Sequence, residues 1–291
     1  MVCVTYRMHE ESYMKKFYKF LTELRRNYFK NRILKRYANT RNPEIRELIE
    51  TIRKENELNI FNYDFYNKYK NKKTEVQYDE DSKMYYVIEN GRRLYFKRSM
   101  CEKDVIEYYR GISAEQDEKS PHRYVSDSVC LKQGDCVLDL GAAEGNFVFQ
   151  NLDKIAKAVL VECDKEWVEA LKMTFKNYKH IKIINQKVSG HAQNGCTTLD
   201  ELGDRHGAFD FIKMDLEAME AAVLGGQNTL KQKNKFAVCT YHRQKDFRDI
   251  CRILKENGYK ISHSDGFMTV YYSWGYCKPY IRRGIVRAKK G

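Results

Sequence analysis

The chain has 291 residues, enough for one large domain and a smaller appendage with ample core. Its 53 Lys and Arg against 40 Asp and Glu give a net charge of +13, but the excess is local: residues 12–41 hold ten cations against Glu23 alone, residues 278–291 hold six against no acid, and the rest is near neutral. No apolar run approaches the roughly 18 residues that cross a bilayer, the first residues lack a signal peptide's apolar centre, and nine cysteines form no C-x-x-C pair, so a cytoplasmic protein with reduced, packing cysteines is expected.

In chain order, Tyr13, Phe17, Phe20, Leu21, Leu24, Tyr28 and Ile33 recur at helical spacing over Ser12 to Tyr37, with Lys and Arg opposite and Ser12 placed to cap the start. Such a basic amphipathic helix fits peripheral docking on an anionic membrane, or packing on the body or on a second copy in a homo-oligomer with its basic face in solvent. Asn42-Pro43-Glu44 opens a second helix to about Leu58, which closes a basic helical segment, residues 1–58. Residues 59–125 form an aromatic-rich connector. There Met84-Tyr-Tyr-Val-Ile-Glu, Asn90-Gly91 and Arg92-Arg-Leu-Tyr-Phe-Lys read as a hairpin with a type I′ turn. A helix over about Glu102 to Ser113 leads to a polar stretch, Glu115 to Tyr124, placed as a lid or substrate floor.

Residues 126–291 alternate between periods. Strands are predicted near 136–140, 158–162, 181–185, 209–215, 235–241, 259–264 and 267–273, with helices near 145–156, 165–177, 217–232 and 246–257, which makes an α/β doubly wound, mostly parallel sheet. The last two strands, parted only by Asp265-Gly266, are expected as an antiparallel edge. Ligands in such sheets bind outside the carboxyl ends of the strands, where Asp139, Glu162, Ser189, Asp215 and His242 fall.

The stretch Asp135-Cys-Val-Leu-Asp-Leu-Gly141-Ala-Ala-Glu-Gly145-Asn-Phe147 is a buried strand turning directly into a helix, and Val159-Leu-Val-Glu162 is a second strand closing on an acid. Glycines at 141 and 145 allow close backbone approach, and Glu162 stands where a carboxylate accepts both hydrogen bonds of a ribose diol. A dinucleotide would need a middle glycine where Ala143 stands and a final glycine that is missing, so NAD is disfavoured. A ligand with a ribose and an amino-acid tail but no phosphate, such as S-adenosylmethionine, needs only the turn and one close approach.

Further on, Phe209-Asp-Phe-Ile-Lys-Met-Asp215-Leu-Glu217-Ala-Met-Glu220-Ala-Ala-Val-Leu-Gly-Gly resembles the F-I-K-x-D-x-E-G-x-E strand and V-L-x-G helix of the FkbM family of S-adenosylmethionine-dependent methyltransferases. The likeness covers roughly residues 135–260 and departs at Ala218, where the family has glycine. It implies a class I methyltransferase (Rossmann-like) fold with an N-terminal helical and β-hairpin extension. It also implies a methionine-side loop of Asp139, Gly141, Ala142, Ala143, Glu144, Gly145 and Asn146, a ribose site at Glu162 and Cys163, and an adenine border at Val188 and Ser189. Asp215 and Glu217 would face the transferred methyl, and the acceptor would be a hydroxyl of a sugar, glycan, glycolipid or related natural product.

Such chemistry needs alignment of an oxygen with the sulfonium methyl and removal of its proton. His242, at the end of the fifth strand and beside Asp215 in the expected order, has an ordinary pKa near working pH and is the favoured base; it could equally be a histidine hydrogen-bonded at a strand end. Asp215 and Glu217 are alternative bases or Mg²⁺ ligands, and with only two named ligands Mg²⁺ is not favoured. His122, Arg123, Tyr124 and Arg243 are candidate substrate or cofactor-carboxylate contacts, or a loop salt-bridge network. Two other functions compete. The basic ends and 22 tyrosines suggest an RNA methyltransferase, although the body is not basic and no Asn/Asp-Pro-Pro-Tyr motif is present, which disfavours nucleic acid. A non-catalytic, S-adenosylmethionine-binding scaffold docked to membrane through residues 12–41 is the other.

Overall fold

Asn90 and Gly91 both take left-handed backbone, at φ 50° and 72°, the pair of conformations that a type I′ turn demands and that asparagine and glycine reach at least cost. They join a meander of β1 (Val76–Asp79), β2 (Met84–Glu89) and β3 (Arg92–Tyr95) in the computed structural model, which describes residues 21–193, 195–225, 228–270 and 280–290. The chain divides into two compact units, Met1–Asp64 with Gly266–Arg282, and Phe65–Asp265 with Arg283–Gly291.

In the smaller unit a helix over 21–36 (α1) precedes α2 (Pro43–Lys54). Proline at the first turn and the Asn42 side chain, which accepts from the Ile45 amide at 3.1 Å, start α2 where the sequence placed it. Leu48, Ile49 and Ile52 pack with Phe29 and Ile33 of α1 and with Tyr280 and Ile281. The expected apolar stripe of α1 divides: Ile33 is buried, whereas Leu21, Leu24 and Tyr28 are exposed. Ser12, Tyr13, Phe17 and Phe20 lie outside the described residues. No helix among the described residues is long and apolar enough to cross a membrane.

The larger unit continues with α3 (Glu102–Glu115), β4 (Asp135–Leu140), α4 (Asn146–Gln150), β5 (Ile155–Glu162), α5 (Lys165–Thr174), β6 (Ile181–Asn185), α6 (Leu199–His206), β7 (Phe211–Met214), α7 (Glu220–Leu224), β8 (Lys235–Cys239), α8 (Asp246–Glu256), β9 (Tyr259–His263) and β10 (Ile285–Lys290). Its seven-stranded sheet has the order β9-β10-β8-β7-β4-β5-β6. Strands β4 to β8 pair in parallel and β10 is antiparallel to both its neighbours. Val137, Leu138, Leu140, Val159 and Leu160 are almost wholly buried, as central parallel strands covered on both faces by helices must be. This is the class I methyltransferase, Rossmann-like arrangement expected from sequence. Chain order reverses at the β4–β7 pair, so the ligand crevice opens at their carboxyl ends.

Three local expectations are corrected. The antiparallel strand is 285–290 rather than 267–273, and it sits inside the sheet, between β8 and β9, not at the edge. Met268–Thr269 instead pair with Ile281–Arg282 in the smaller unit, and residues 271–273 are outside the described ones. Arg287 concealed this strand: it interrupts the buried run Ile285, Val286 and Ala288, yet its guanidinium is satisfied by the carbonyls of Arg123 and Tyr124. The helix expected over 217–232 is only Glu220–Leu224 followed by a short 3₁₀ turn at Asn228–Lys231, because Glu217 and Ala218 take left-handed backbone (φ 49° and 81°) that a helix cannot contain. Helix α6 was missed, although Thr198 and Glu201 form a reciprocal capping box that marks its start.

Candidate active site

Gly141 is held at φ 72°, and a Cβ there would stand 1.8 Å from the Asp215 carbonyl oxygen; at Gly145 a Cβ would meet Leu171 and Phe175 at 2.6 and 2.8 Å. The loop glycines therefore serve the protein's own packing, bringing the turn after β4 hard against the ends of β7 and α5. The result is a cleft of about 470 Å³ at the carboxyl ends of β4, β5 and β7, covered by Tyr108, Gly111, Ile112 and Glu115 of α3. Six carboxylates line it, Glu115, Glu144, Glu162, Asp164, Asp215 and Glu217, against Lys213 as the one basic side chain in the lining.

Lys213 does not offer that charge to a ligand. Asp139 of β4 and Lys213 of β7 are register partners, and the ammonium donates to Asp139 Oδ1 at 2.8 Å and to the Gly141 carbonyl at 2.7 Å. Burial raises the Asp139 carboxyl above its ordinary value while Lys213 pulls it back, and burial works against the lysine's charge until Asp139 and Asp215 outweigh it and raise its pKa. The pair locks the loop to the sheet. Glu162 accepts from the Ala143 amide through Oε2 (2.9 Å) and from the Asp164 amide through Oε1 (2.8 Å). Each oxygen has accepting capacity left, and Glu162 lines the cleft, which suits a diol.

Asp215 sits where three elements meet. Tyr124, brought in by the Arg287 clamp on its carbonyl, donates its hydroxyl to Asp215 Oδ2 at 3.0 Å. His242 Nε2 lies 3.4 Å from Asp215 Oδ1 and 3.6 Å from Glu217 Oε2, and His242 Nδ1 lies 2.8 Å from Glu220 Oε1. His122 Nε2 is 3.9 Å from Asp215 Oδ2 and 3.4 Å from the Tyr241 hydroxyl. Burial would raise Asp215, but His242, Lys213 and His122 hold it below its ordinary value. Burial pushes His122 down to about 4. The same burial acts on His242, where contact with Glu220 and the charges of Asp215 and Glu217 overcome it and raise the ring to about 9. Across the cleft, burial and the charges of Asp215 and Glu144 push Glu115 up to about 8.

The expected site residues thus separate into two groups. Gly141, Ala142, Ala143, Glu144, Asn146, Glu162, Tyr124, Asp215 and Glu217 line the cleft; Asp139, Gly145, His122 and His242 stand directly behind it. The others are elsewhere. Val188 belongs to the hydrophobic core, the Ser189 hydroxyl is bonded to the His191 carbonyl, and Cys163, Arg123 and Arg243 are not in the lining. Arg243 is exposed and its amide donates to Asp246.

A family comparison bears on the class. Residues 146–261 match the methyltransferase FkbM domain. This bears out the resemblance read from the Ile212-to-Glu217 segment, and methyl transfer from S-adenosylmethionine is what the family implies. Solved structures similar to the chain include precorrin-6y C5,15-methyltransferase from Geobacter metallireducens, at 10% identity over 56% of this chain and 84% of that one with a TM-score of 0.40. Ribosomal protein L11 methylase from Lactobacillus delbrueckii subsp. bulgaricus is similar at 15% identity over 55% and 72%, with a TM-score of 0.36. No curated protein matches the chain.

The cleft fits the cofactor on its own geometry. The buried Asn146 Oδ1 in its wall has no hydrogen-bond partner and can accept from an ammonium, and an acid-rich lining suits a ligand bearing a sulfonium and an ammonium. Sequence reading missed several members: Tyr108, whose hydroxyl donates to Glu144 at 2.7 Å; Trp167, packed on Tyr108 with ring centroids 5.2 Å apart; and Lys213 and Glu220. Lys213 carried a signal, as a charge in the middle of a strand otherwise apolar enough to be buried on both faces, and Glu220 carried one as the last acid of the F-I-K-x-D-x-E-G-x-E pattern.

Ala218, where the family has glycine, is at φ 81°. Ala218→Gly is expected to raise the unfolding free energy by about 0.5–1 kcal/mol, since it relieves about 1–2 kcal/mol of left-handed strain and adds about 0.4–1 kcal/mol of unfolded-chain entropy. Urea titration of the two proteins checks it; a destabilised variant would mean that the alanine methyl packs favourably despite its backbone.

Proposed function

We propose that the protein transfers a methyl group from S-adenosylmethionine to a hydroxyl oxygen of a neutral saccharide or saccharide-bearing lipid, with Asp215 meeting the acceptor oxygen. The observation that carries this is Asp215 itself, a carboxylate in the cleft lining that Tyr124 and His242 hold in place. When bound, S-adenosylmethionine supplies an electrophilic methyl. The chain's residues do the rest: Glu162 and Asn146 hold the ribose and amino-acid ends, α3 covers the cleft against water, and Asp215 accepts the hydroxyl hydrogen and takes the proton as the new bond forms.

This revises the base assigned from sequence. His242 is 2% exposed and outside the cleft lining, with both ring nitrogens turned toward carboxylates, so the acceptor meets Asp215 first. His242 is a positioning residue that fixes the carboxylate. The acid-rich lining also favours an uncharged acceptor over RNA, whose phosphates its ionised carboxylates repel. A tritiated-methyl transfer assay over neutral glycans, glycolipids and RNA tests the reading. A sugar methyl ether among the products is expected; label appearing in RNA alone would overturn it.

A further inference from the structure

Three carboxylates converge on the single imidazole of His242, more negative charge than one ring proton balances. Nε2 lies 3.4 Å from Asp215 Oδ1 and 3.6 Å from Glu217 Oε2. Donor atoms about 2.1 Å from one metal ion stand about 3.0 Å apart at a right angle and about 3.4 Å apart at a tetrahedral one. Both nitrogen–oxygen spacings are therefore near those of ligand atoms sharing one ion. On the other side of the ring, Glu220 Oε1 is 2.8 Å from Nδ1 and also accepts from the Leu216 amide at 2.8 Å, which fixes the ring's orientation as carboxylate–histidine–metal arrangements do.

Two further features mark the place. Asp215 Oδ1 and Oε2 of the wholly buried Glu220 have no hydrogen-bond partner, and ligand atoms of Asp215, Glu220 and His242 all lie within 4.8 Å of one another. Asp215 Oδ1 faces the His242 ring at 3.4 Å without a hydrogen bond, so a bound cation would satisfy it. Glu217, whose side chain is otherwise 88% exposed, sits on left-handed backbone at φ 49° and still comes to within 3.6 Å of the ring. Strain of this kind persists where the surroundings over-determine it, and it gathers at functional sites.

We propose that His242 Nε2, releasing its ring proton to solvent as the ion binds, joins Asp215 Oδ1 and Glu217 Oε2 in holding a divalent first-row transition-metal ion at the inner end of the cleft, with Glu220 orienting the imidazole from behind. One nitrogen with carboxylate oxygens suits Mn²⁺, Fe²⁺, Co²⁺ or Zn²⁺ better than Mg²⁺, which prefers oxygen and water throughout. The site rests on the hydroxyl-methylation reading for its purpose: a cation there polarises the acceptor oxygen, while Asp215 Oδ2 beside Tyr124 remains for the proton.

The test uses the full chain stripped with chelator and titrated with Mn²⁺ alone, followed by electron paramagnetic resonance with pulsed detection of ¹⁴N coupling. One equivalent of Mn²⁺ with an imidazole coupling is expected. Glu220→Gln should weaken it by about 10- to 100-fold, Glu217→Gln should weaken it as well, and His242→Gln should abolish the coupling. Glu217 is exposed enough that its variant folds whatever happens to the buried positions. Failure to retain Mn²⁺, or affinity unchanged in both Glu217→Gln and Glu220→Gln, overturns the site. Donor and acceptor are absent from this measurement, so a failed methyl-transfer reading shows separately, as no heat on titrating S-adenosylmethionine into the same protein.

Discussion

Lys213→Met lowers the unfolding free energy of the protein by about 3–5 kcal/mol, the usual consequence of removing one member of a buried ion pair and leaving the other charge without compensation. Asp139 is wholly buried, has Oδ2 without a partner, and relies on the ammonium at 2.8 Å from Oδ1. The same ammonium holds the Gly141 carbonyl, so the loop loosens with it. The sign of the pH dependence separates charge from packing. Burial already raises Asp139, and losing Lys213 raises it further, so the variant's deficit is fully present above the raised folded-state pKa and shrinks as pH falls toward the unfolded carboxyl's value of about 4. Urea titrations between neutral and mildly acid pH check this. A deficit independent of pH would mean that the methionine merely packs badly, and Lys213→Met with Asp139→Leu should recover most of the loss if the charge is responsible.

Asp215→Asn lowers kcat for methyl transfer by about 100- to 10,000-fold, the ordinary worth of a positioned proton acceptor, and leaves cofactor affinity nearly intact. Asparagine keeps the shape and can still accept from Tyr124, whose phenol burial and Asp215 hold protonated. What it lacks is the charge that receives the proton. Steady-state kinetics and calorimetry with the cofactor are to be read together. Loss of cofactor binding in step with rate would place Asp215 in the donor pocket rather than at the acceptor, and an unchanged kcat would remove it from proton transfer altogether.

Much of the site was legible locally. Gly141, Gly145 and the acids closing β4, β5 and β7 announce themselves because a strand-turn-helix has few solutions in backbone angles, and the structure needs both glycines for contacts that any side chain would violate. Lys213 was half-legible: a charge in a doubly buried strand requires a partner, but only register identifies it as Asp139. The Arg287 strand was hidden for the converse reason, since its charge is satisfied by carbonyls more than 160 residues away. His242 shows how neighbours revise chemistry. Its ordinary pKa suggested a base, and Glu220, hidden as a partner in the sequence, raises that pKa against the effect of burial, so that the ring keeps its proton.

The sequence by itself determined the doubly wound sheet, the hairpin turn and the acid that closes β5, because strand period, glycine angles and end-of-strand carboxylates are properties of short segments. Tertiary structure decided which of several titratable groups share a charge, through the pairing of β4 with β7 and the convergence of Asp215, Glu217, Glu220 and His242. It also decided that residues 285–290, not 267–273, complete the sheet. Electrostatic interaction depends on distance in space and on burial, and neither is set by separation along the chain.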